Sequence, residues 1–363
     1  MSRFEMRPGI GRKVAVAVVV LLLAVVPLVV TDQYYLHVVI TAIVNSVLAM
    51  TFVLVLRTGL INLSMAAFWG LGAYGTALLQ QKAGLSFWVA LPLAVIVATV
   101  AGVLLGLIVV RFSGFGFVIL TLVIASIIPV VFGTFEYFGR YVGILNVGVP
   151  EAIRLPGGIE LEFYSKTSFY YLALVIASIC VLVLLGFYAS SIGRAWRAIG
   201  LSSALAQSVG IDLFRYRLVA WTLGCTIAAF VGGFYATYAG ALVPGTFGPF
   251  KSIYVQIYAI LGGMGFVILG PIVGAFLLTV LPELLRFSQD SEPILTGVII
   301  ILIVIFLPLG VLGSLAALWD DRRLQALIGR VWPRRRNGHP GVPLGDAGQD
   351  PGHSDLPQEG ADS

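Results

Sequence analysis

Residues 36–56 read LHVVITAIVNSVLAMTFVLVL, a run of 21 residues that contains no Asp, Glu, Lys or Arg. A helix of about 20 apolar residues is long enough to cross the hydrocarbon core of a bilayer. The run therefore predicts a membrane-spanning helix. The whole chain of 363 residues shares this character, because 59% of its residues are hydrophobic and only 11% are charged. Soluble domains carry about 25% charged residues, so the chain is an integral membrane protein by composition.

Charge-free apolar runs continue on both sides of this segment and predict ten spans in all. The spans are Val14–Val30, Leu36–Leu56, Leu63–Leu79, Ser86–Val110, Phe115–Phe132, Ser168–Phe187, Leu218–Gly240, Ser252–Phe266, Leu269–Leu285 and Ile294–Leu312. The third, eighth and ninth are short or rich in glycine. We expect an all-α, polytopic membrane protein of about ten transmembrane helices, some of them short or broken, with a permease domain over residues 14–318.

The distribution of Lys and Arg predicts the orientation of these spans, because such residues accumulate on the cytoplasmic side. The N-terminal segment 1–13 carries three Arg and one Lys. Ten crossings from a cytoplasmic N-terminus place the Arg-rich loop 188–217 and the tail 319–363 on the same side, and the loop 133–167 outside. Three single charges also fall outside: Lys82, Lys251 and Arg286. The net charge of +5 then reflects membrane orientation and gives no reason to expect nucleic-acid binding.

The tail 319–363 is predicted to be cytoplasmic and largely disordered. Its last part, from Pro333 to Ser363, is rich in Pro, Gly and Asp and has few apolar residues to bury. Both termini are therefore expected on the cytoplasmic side of the inner membrane.

The chain lacks the residues that several classes of protein function require. The ten predicted spans contain one acidic residue, Glu283, and no Lys or Arg, whereas proton-coupled transporters need ionisable relays at membrane depth. The three histidines and two cysteines show no metal-ligand spacing. No Lys follows a Gly, so the chain has no phosphate-binding loop of the GxxxxGK type. We expect no enzymatic activity, no cofactor and no metal, with ATP hydrolysis on separate subunits.

Two glycine-containing breaks in the apolar pattern mark a candidate solute pathway. One follows Arg57 and contains Gly59; the other is LGGMG at residues 261–265. Unwound backbone, polar side chains and a helix N-terminus within the membrane can line such a path. The residues assigned to it are Asn62, Ser64, Tyr74, Gly263 and Pro271. Close helix packing explains the same small residues, and the two breaks also fit an internal parallel repeat.

The central stretch SSIGRAWRAIGLSSALAQSVGID, residues 190–212, is polar and rich in Ala and Arg within a chain that is otherwise apolar. Small residues recur in it, and Gly193 and Gly210 frame it. Gly210 is expected to follow the end of a helix in a conformation with positive φ. A membrane protein has little reason to keep a compact helical loop of this kind unless a partner docks on it. We interpret it as the place where an ATP-driven motor contacts the membrane domain.

Seven blocks carry a family resemblance over Asn45–Gly313. They read NLSMAAFWGLGAY, RFSGFGFVILTL, GRAWRAI with ALAQSVGI, GGFYATYAGALVPGTF, LGGMGFVILGPIVGA, LPELLR and FLPLGVLG. In order and spacing they resemble LivM-type permease subunits of branched-chain amino acid ABC importers. The resemblance implies a second permease subunit, two ATPase subunits and a soluble substrate-binding protein as partners in the bilayer. It also implies an ATPase-coupling role for Gly193, Arg194, Arg197, Ala198, Ala206, Gly210 and Ile211.

Two departures from the family pattern concern docking and substrate. Residues 200–203 read GLSS where the family commonly has charge, and Arg140–Gly143 stands near the place of a Thr-Gly-Gly motif. The expected function is import of small amino acids, with Leu, Ile and Val suggested by the resemblance. A permease for urea or short amides is one alternative. A passive channel and a Na⁺-coupled carrier that uses Asn45, Asn62 and Ser64 are others.

Overall fold

The computed structural model describes residues 21–27, 32–154, 160–161, 163, 165–284, 297–298, 301, 305–307 and 309–318. Residues 21–27 are helical. The named helices are α1 Gln33–Leu56, α2 Met65–Ala83, α3 Phe87–Val109, α4 Phe115–Thr134, α5 Lys166–Ala189, α6 Ser191–Leu201, α7 Ser203–Ser208, α8 Leu213–Ala239, α9 Pro249–Gly262, α10 Leu269–Leu284 and α11 Gly310–Leu318. Short 3₁₀ helices lie at Glu136–Phe138, Arg140–Val142 and Pro244–Phe247.

The predicted all-α, polytopic membrane fold is confirmed. Five helices, α1, α3, α4, α5 and α8, are each long and apolar enough to cross a membrane. By contrast, α9 has 14 residues between its caps, and at 1.5 Å per residue it does not reach the roughly 30 Å of a hydrocarbon core. The described strands, Ile153–Arg154 and Glu160–Leu161, form one antiparallel pair between α4 and α5.

Several predicted segments lie wholly or mostly outside the described residues. These are the N-terminal segment 1–13, the span Val14–Val30 apart from residues 21–27, and the tail 319–363; nine of the 19 residues of the span Ile294–Leu312 also lie outside. Their predicted topology and the predicted disorder of the tail stay predictions, as does the internal repeat.

Helix α1 forms the centre of the molecule. The protein buries 89% of the residues in its most apolar stretch, compared with 28% for α3 and 22% for α4. Helices α5, α8, α9 and α10 pack around it. The apolar residues that α3 and α4 expose suit contact with lipid, so these two helices lie at the periphery of the bundle.

Glycines allow α2 and α8 to pack at close range. A Cβ atom on Gly72 would lie 2.0 Å from the carbonyl oxygen of Ala229, and one on Gly232 would lie 2.0 Å from that of Trp69. No side chain fits at such distances, which is the packing role that small residues play between membrane helices. The stretch GLGAYG in α2 is therefore explained by packing, one of the two interpretations that the sequence allowed.

Both predicted breaks are present in the structure. Residues 57–64 between α1 and α2 are not helical, and Gly59 has a φ of +78°. Residues 263–268 separate α9 from α10, and Gly263 has a φ of +109°. Helix α9 begins and ends a few residues earlier than the predicted span Ser252–Phe266, because Gly248 and Pro249 start it and Gly263 ends it.

Candidate coupling surface and solute pathway

Trp196 anchors the helical loop that the sequence assigned to coupling. Its ring is fully buried, and its Nε1 donates to the carbonyl oxygen of Tyr216 on α8 at 2.8 Å. The ring also stacks on Phe187 of α5, with centroids 6.0 Å apart. These contacts fix α6 to the ends of two long apolar helices, so a force on α6 is transmitted to both.

The predicted coupling residues divide into an outer and an inner group. Arg194 and Gly210 are exposed, and Arg197, Ala198 and Ile211 are partly exposed. Gly193 and Ala206 are instead buried. A Cβ atom on Gly193 would lie 2.5 Å from the carbonyl oxygen of Phe187, so this glycine lets α6 fold back on α5. The two inner residues shape the loop, and the other five lie where a partner can reach them.

Turn residues set the path of the chain through this loop. Ser202 caps α7 by accepting from the backbone N–H of Leu205, and Asp212 caps α8 by accepting from that of Arg215. Gly210 has a φ of +83° two residues after α7 ends, and this confirms its predicted conformation. The three turns hold the short α7 between α6 and α8.

Three large apolar side chains project from the same loop, and the sequence analysis did not identify them. Leu201, Leu205 and Val209 are 79%, 70% and 75% exposed. Leu201 ends α6, Leu205 lies on α7 and Val209 follows α7; Leu201 falls within residues 200–203, where the family pattern has charge. Exposed large apolar side chains this close together in the sequence of a polar loop favour a protein-binding surface. We refer to these three residues as the apolar stripe.

Arginines connect the loop to both backbone breaks. Arg217 donates to the hydroxyl of Ser203 on α7 at 3.2 Å and to the carbonyl oxygen of Thr58 at 3.3 Å. The neighbouring Arg57 donates to the carbonyl oxygen of Gly265 at 3.1 Å. The first turn of α7, the α1–α2 break and the α9–α10 break thus share one hydrogen-bonded region, which we refer to as the arginine link.

A cleft of about 600 Å³ opens beside the loop. It is lined by Val110, Arg111, Gln207, Phe214, Arg217 and the segment Gly210–Leu213. The cleft therefore has the loop on one side and the C-terminal end of α3 on the other. Its size and its basic lining suit the insertion of a polar segment from a docked partner.

The structure brings two of the predicted pathway residues together. Asn62 and Ser64 are both buried, and Asn62 Oδ1 accepts from the backbone N–H and from the hydroxyl of Ser64, each at 2.8 Å. The next turn of chain reaches α9, because the N–H of Ala66 donates to the hydroxyl of Ser252 at 3.2 Å. The N-terminal ends of α2 and α9 therefore meet inside the protein.

The other three predicted pathway residues lie elsewhere. Tyr74 is about three turns further along α2, where its ring stacks on Phe132 and its hydroxyl donates to the carbonyl oxygen of Leu242. Gly263 lies at the opposite end of α9, and Pro271 is buried in the first turn of α10. The predicted residues are thus distributed along α2 and at the ends of α9 and α10, and they do not form one cluster.

One charged residue near the first group was placed wrongly by the sequence analysis. The sequence placed Lys251 between two spans on the extracytoplasmic side, but its Nζ donates to Asn45 Oδ1 in the middle of α1 at 2.8 Å. The connection 240–248 leads from α8 down into the bundle before α9 starts, and hydropathy alone does not reveal this path. A lysine two residues after the Gly-Pro helix start was the available signal.

Comparison with known proteins gives a family match and two groups of relatives. A family model described as branched-chain amino acid transport system / permease component matches residues 34–308. The high-affinity branched-chain amino acid transport system permease protein LivM of Salmonella typhimurium is 30% identical over 275 residues, which are 70% of this chain and 64% of that protein. LivM of Escherichia coli is similar to the same extent. The chain thus spans just under two thirds of the length of these relatives.

The second group carries a different named solute. The autoinducer 2 import system permease protein LsrC of Shigella flexneri is 27% identical over 314 residues, which are 82% of this chain and 86% of that protein. No solved structure matches the chain with statistical significance.

Proposed function

Because the chain belongs to the family of permease components of branched-chain amino acid transport systems, we propose that it forms the membrane pathway of an ATP-driven importer for small amino acids such as leucine, isoleucine and valine. In this proposal it lies in the inner membrane with both termini cytoplasmic. It works with a second permease subunit, two ATPase subunits and a soluble substrate-binding protein, and it catalyses no reaction itself.

The apolar stripe is the observation that carries the coupling role. Leu201, Leu205 and Val209 are exposed on a polar loop, and a cytoplasmic loop has no lipid to cover them. Docking of an ATPase subunit removes their apolar surface from water, at about 25 cal/mol for each Å² buried. Arg194 and Arg197 precede the stripe on α6 and add positive charge to the same loop, where charge favours correct orientation more than affinity.

The arginine link provides the route by which docking acts on the pathway. ATP binding moves the partner, and the partner moves α7 through the apolar stripe. Arg217 connects α7 to the α1–α2 break, and Arg57 connects that break to the α9–α10 break. Non-helical backbone at both breaks can change its dihedral angles without breaking a helix. We infer alternating access in which the two breaks act as hinges.

The solute is the part of the proposal that has a second candidate. The similarity to LsrC, which is named as an autoinducer 2 import permease, covers more of both chains than the similarity to LivM does. A solute other than an amino acid is therefore the alternative, and urea or a short amide suits the same polar lining. All of these candidates keep the same transporter class and the same coupling surface.

Co-purification with the ATPase subunits tests the coupling surface directly. In Leu205→Glu, a carboxylate replaces an apolar contact, and we expect ATPase recovery to fall at least about tenfold because a buried unpaired charge costs several kcal/mol. Val142→Glu is the matched control, since Val142 is 69% exposed in the connection predicted to face the opposite side. Equal recovery of the ATPase with both variants would show that the stripe does not dock it.

A further inference from the structure

The charge of Lys251 has no carboxylate partner among the residues that the structure describes. The ion pairs found there are Arg140 with Glu136 and Arg215 with Asp212, both on exposed parts of the chain. Lys251 is partly buried, and its hydrogen bond goes to the neutral amide of Asn45 in the middle of α1. A positive charge beside the middle of an apolar spanning helix is costly, and such residues usually serve transport.

Two helix N-termini increase this cost. Lys251 is the third residue of α9, where the helix dipole is positive and disfavours a cation. The N-terminus of α2 lies against the same turn, because the N–H of Ala66 donates to Ser252. Three sources of positive potential therefore converge at one place, and an anion there would relieve them.

Further donors without an acceptor lie on the segments that meet here. Asn62 Nδ2 and Trp69 Nε1 are buried without a hydrogen-bond acceptor in the described structure, although their residues are only 1% and 2% exposed. Gln256 Nε2, about one turn beyond Ser252 on α9, is also buried without an acceptor in the described structure. Buried donors of this kind normally have acceptors. We refer to Lys251, Asn62, Trp69 and Gln256 as the donor cluster.

Neighbouring groups hold Lys251 in position and supply an apolar wall. Asn45 Nδ2 donates to Thr279 Oγ1 at 3.2 Å, which leaves Asn45 Oδ1 to accept from the lysine. The Lys251 nitrogen lies 5.5 Å from the centroid of the Trp69 ring. That ring packs against Tyr235 and Phe247, with centroids 4.5 and 4.7 Å away. This region can thus accommodate a solute that carries a charged group next to an apolar side chain.

We propose that the donor cluster binds the carboxylate of the transported solute, with Lys251 as its counter-ion. The inference rests on the proposed transport function and narrows the solute to molecules that carry a carboxylate next to an apolar group. Asn45 and Thr279 are positioning residues, because they orient Lys251 and need not touch the solute. Neutral solutes such as urea would leave the lysine without a counter-ion.

The test uses the assembled transporter in proteoliposomes, with its ATPases and its binding protein, and radiolabelled leucine as the probe. We expect Lys251→Met to lower the rate of leucine uptake at least about tenfold, the effect of losing one charge-assisted hydrogen bond. Lys251→Arg keeps the charge and should retain most of the uptake. Lys82→Met is the matched control, since Lys82 is an exposed lysine that contacts the ring and carbonyl oxygen of Tyr137.

Chemical rescue separates binding from folding. Lys251→Cys is purified and then treated with 2-aminoethyl methanethiosulfonate, which adds a positive charge after folding, or with methyl methanethiosulfonate, which adds none. Native Cys180 and Cys225 are buried and give little background reaction. We expect the charged reagent alone to restore leucine uptake.

The outcomes distinguish this inference from the proposed function. Normal leucine uptake by Lys251→Met, or equal rescue by both reagents, would overturn the role of Lys251 while the amino acid importer stands. Uptake of radiolabelled urea without uptake of leucine by the unaltered complex would refute the amino acid assignment and the carboxylate site together. Failure of the unaltered permease to bind any ATPase would refute the proposed function of an ATP-driven importer.

Discussion

At the scale of single residues, contacts that exclude a side chain determine where glycine is required. Gly72 of α2 faces the backbone of α8 at a distance at which no Cβ atom fits, whereas a Cβ atom on Gly186 of α5 would meet no atom within 4 Å. Both glycines look alike in the sequence, since each lies in an apolar helical run. The structure alone separates a glycine that is needed for packing from one that is not.

The same pair of glycines gives a stability prediction. Gly72→Ala forces α2 and α8 apart and should lower the melting temperature of the purified permease, because overpacking of a tight contact costs about 1–3 kcal/mol. Gly186→Ala should leave the melting temperature unchanged or raise it, since alanine favours helix by up to about 1 kcal/mol over glycine. A thermal-shift measurement in detergent compares the two variants. Equal melting temperatures would contradict the close α2–α8 contact.

Residue chemistry also limits what could be predicted about the site. Asn62 and Ser64 were assigned to the pathway because polar residues at a glycine-containing break are unusual in a membrane span, and the structure shows that they bond to each other. Lys251 was missed because its partner Asn45 is distant in sequence. A contact of that kind depends on how the 240–248 connection runs, and local hydropathy carries no information about it.

At the scale of elements, the positions of helices were predictable and the exposure of the coupling loop was not. Charge-free apolar runs locate α1, α3, α4, α5 and α8 to within a few residues. Gly210 was recognised because a helix end commonly needs positive φ. The apolar stripe escaped notice, since Leu201, Leu205 and Val209 look like ordinary core residues until the fold shows that nothing in the described chain covers them.

The conformation of Gly210 predicts how the coupling element responds to substitution. Gly210 has a φ of +83° and open space around it, so a new side chain there meets backbone strain but no steric clash. Gly210→Val should distort the turn and lower ATPase recovery severalfold. Gly210→Asn should be tolerated, because asparagine adopts positive φ more readily.

A matched control makes this prediction specific to the backbone. Gly245 also has open space but no positive φ, so Gly245→Val should bind the ATPase normally. Membrane insertion of all three variants is checked by their yield in the membrane fraction. ATPase recovery that is the same for Gly210→Val as for the unaltered permease would contradict a role for this turn in shaping the docking surface.

At the scale of the whole molecule, composition established the class of protein, but the way its helices fit together could not be predicted. The all-α membrane fold follows from the shortage of charged residues and the length of the apolar runs. The central position of α1 does not, because its hydropathy of 2.5 lies close to the 2.6 and 2.7 of the peripheral α3 and α4. Helices that face lipid and helices that face protein have similar composition in membranes.

The predicted orientation of the whole chain can be tested with single cysteines. Glu151 lies in the connection between α4 and α5, and Gln207 lies on α7. In intact cells an impermeant thiol reagent should label Glu151→Cys and should leave Gln207→Cys unlabelled, since the Lys and Arg bias places α7 in the cytoplasm. Labelling after the cells are opened shows that Gln207→Cys is reactive. The reverse pattern in intact cells would invert the topology and remove the loop from the reach of a cytoplasmic ATPase.

ATP-dependent uptake of leucine tests the central claim most directly. The permease is reconstituted into proteoliposomes with its second permease subunit and its ATPases, and radiolabelled leucine is supplied with the soluble binding protein. We predict accumulation of leucine that requires both ATP and the binding protein and that is lost in Leu205→Glu. Leucine accumulation that continues without ATP or with Leu205→Glu, or that instead follows a Na⁺ gradient, would contradict the account of an ATP-driven importer.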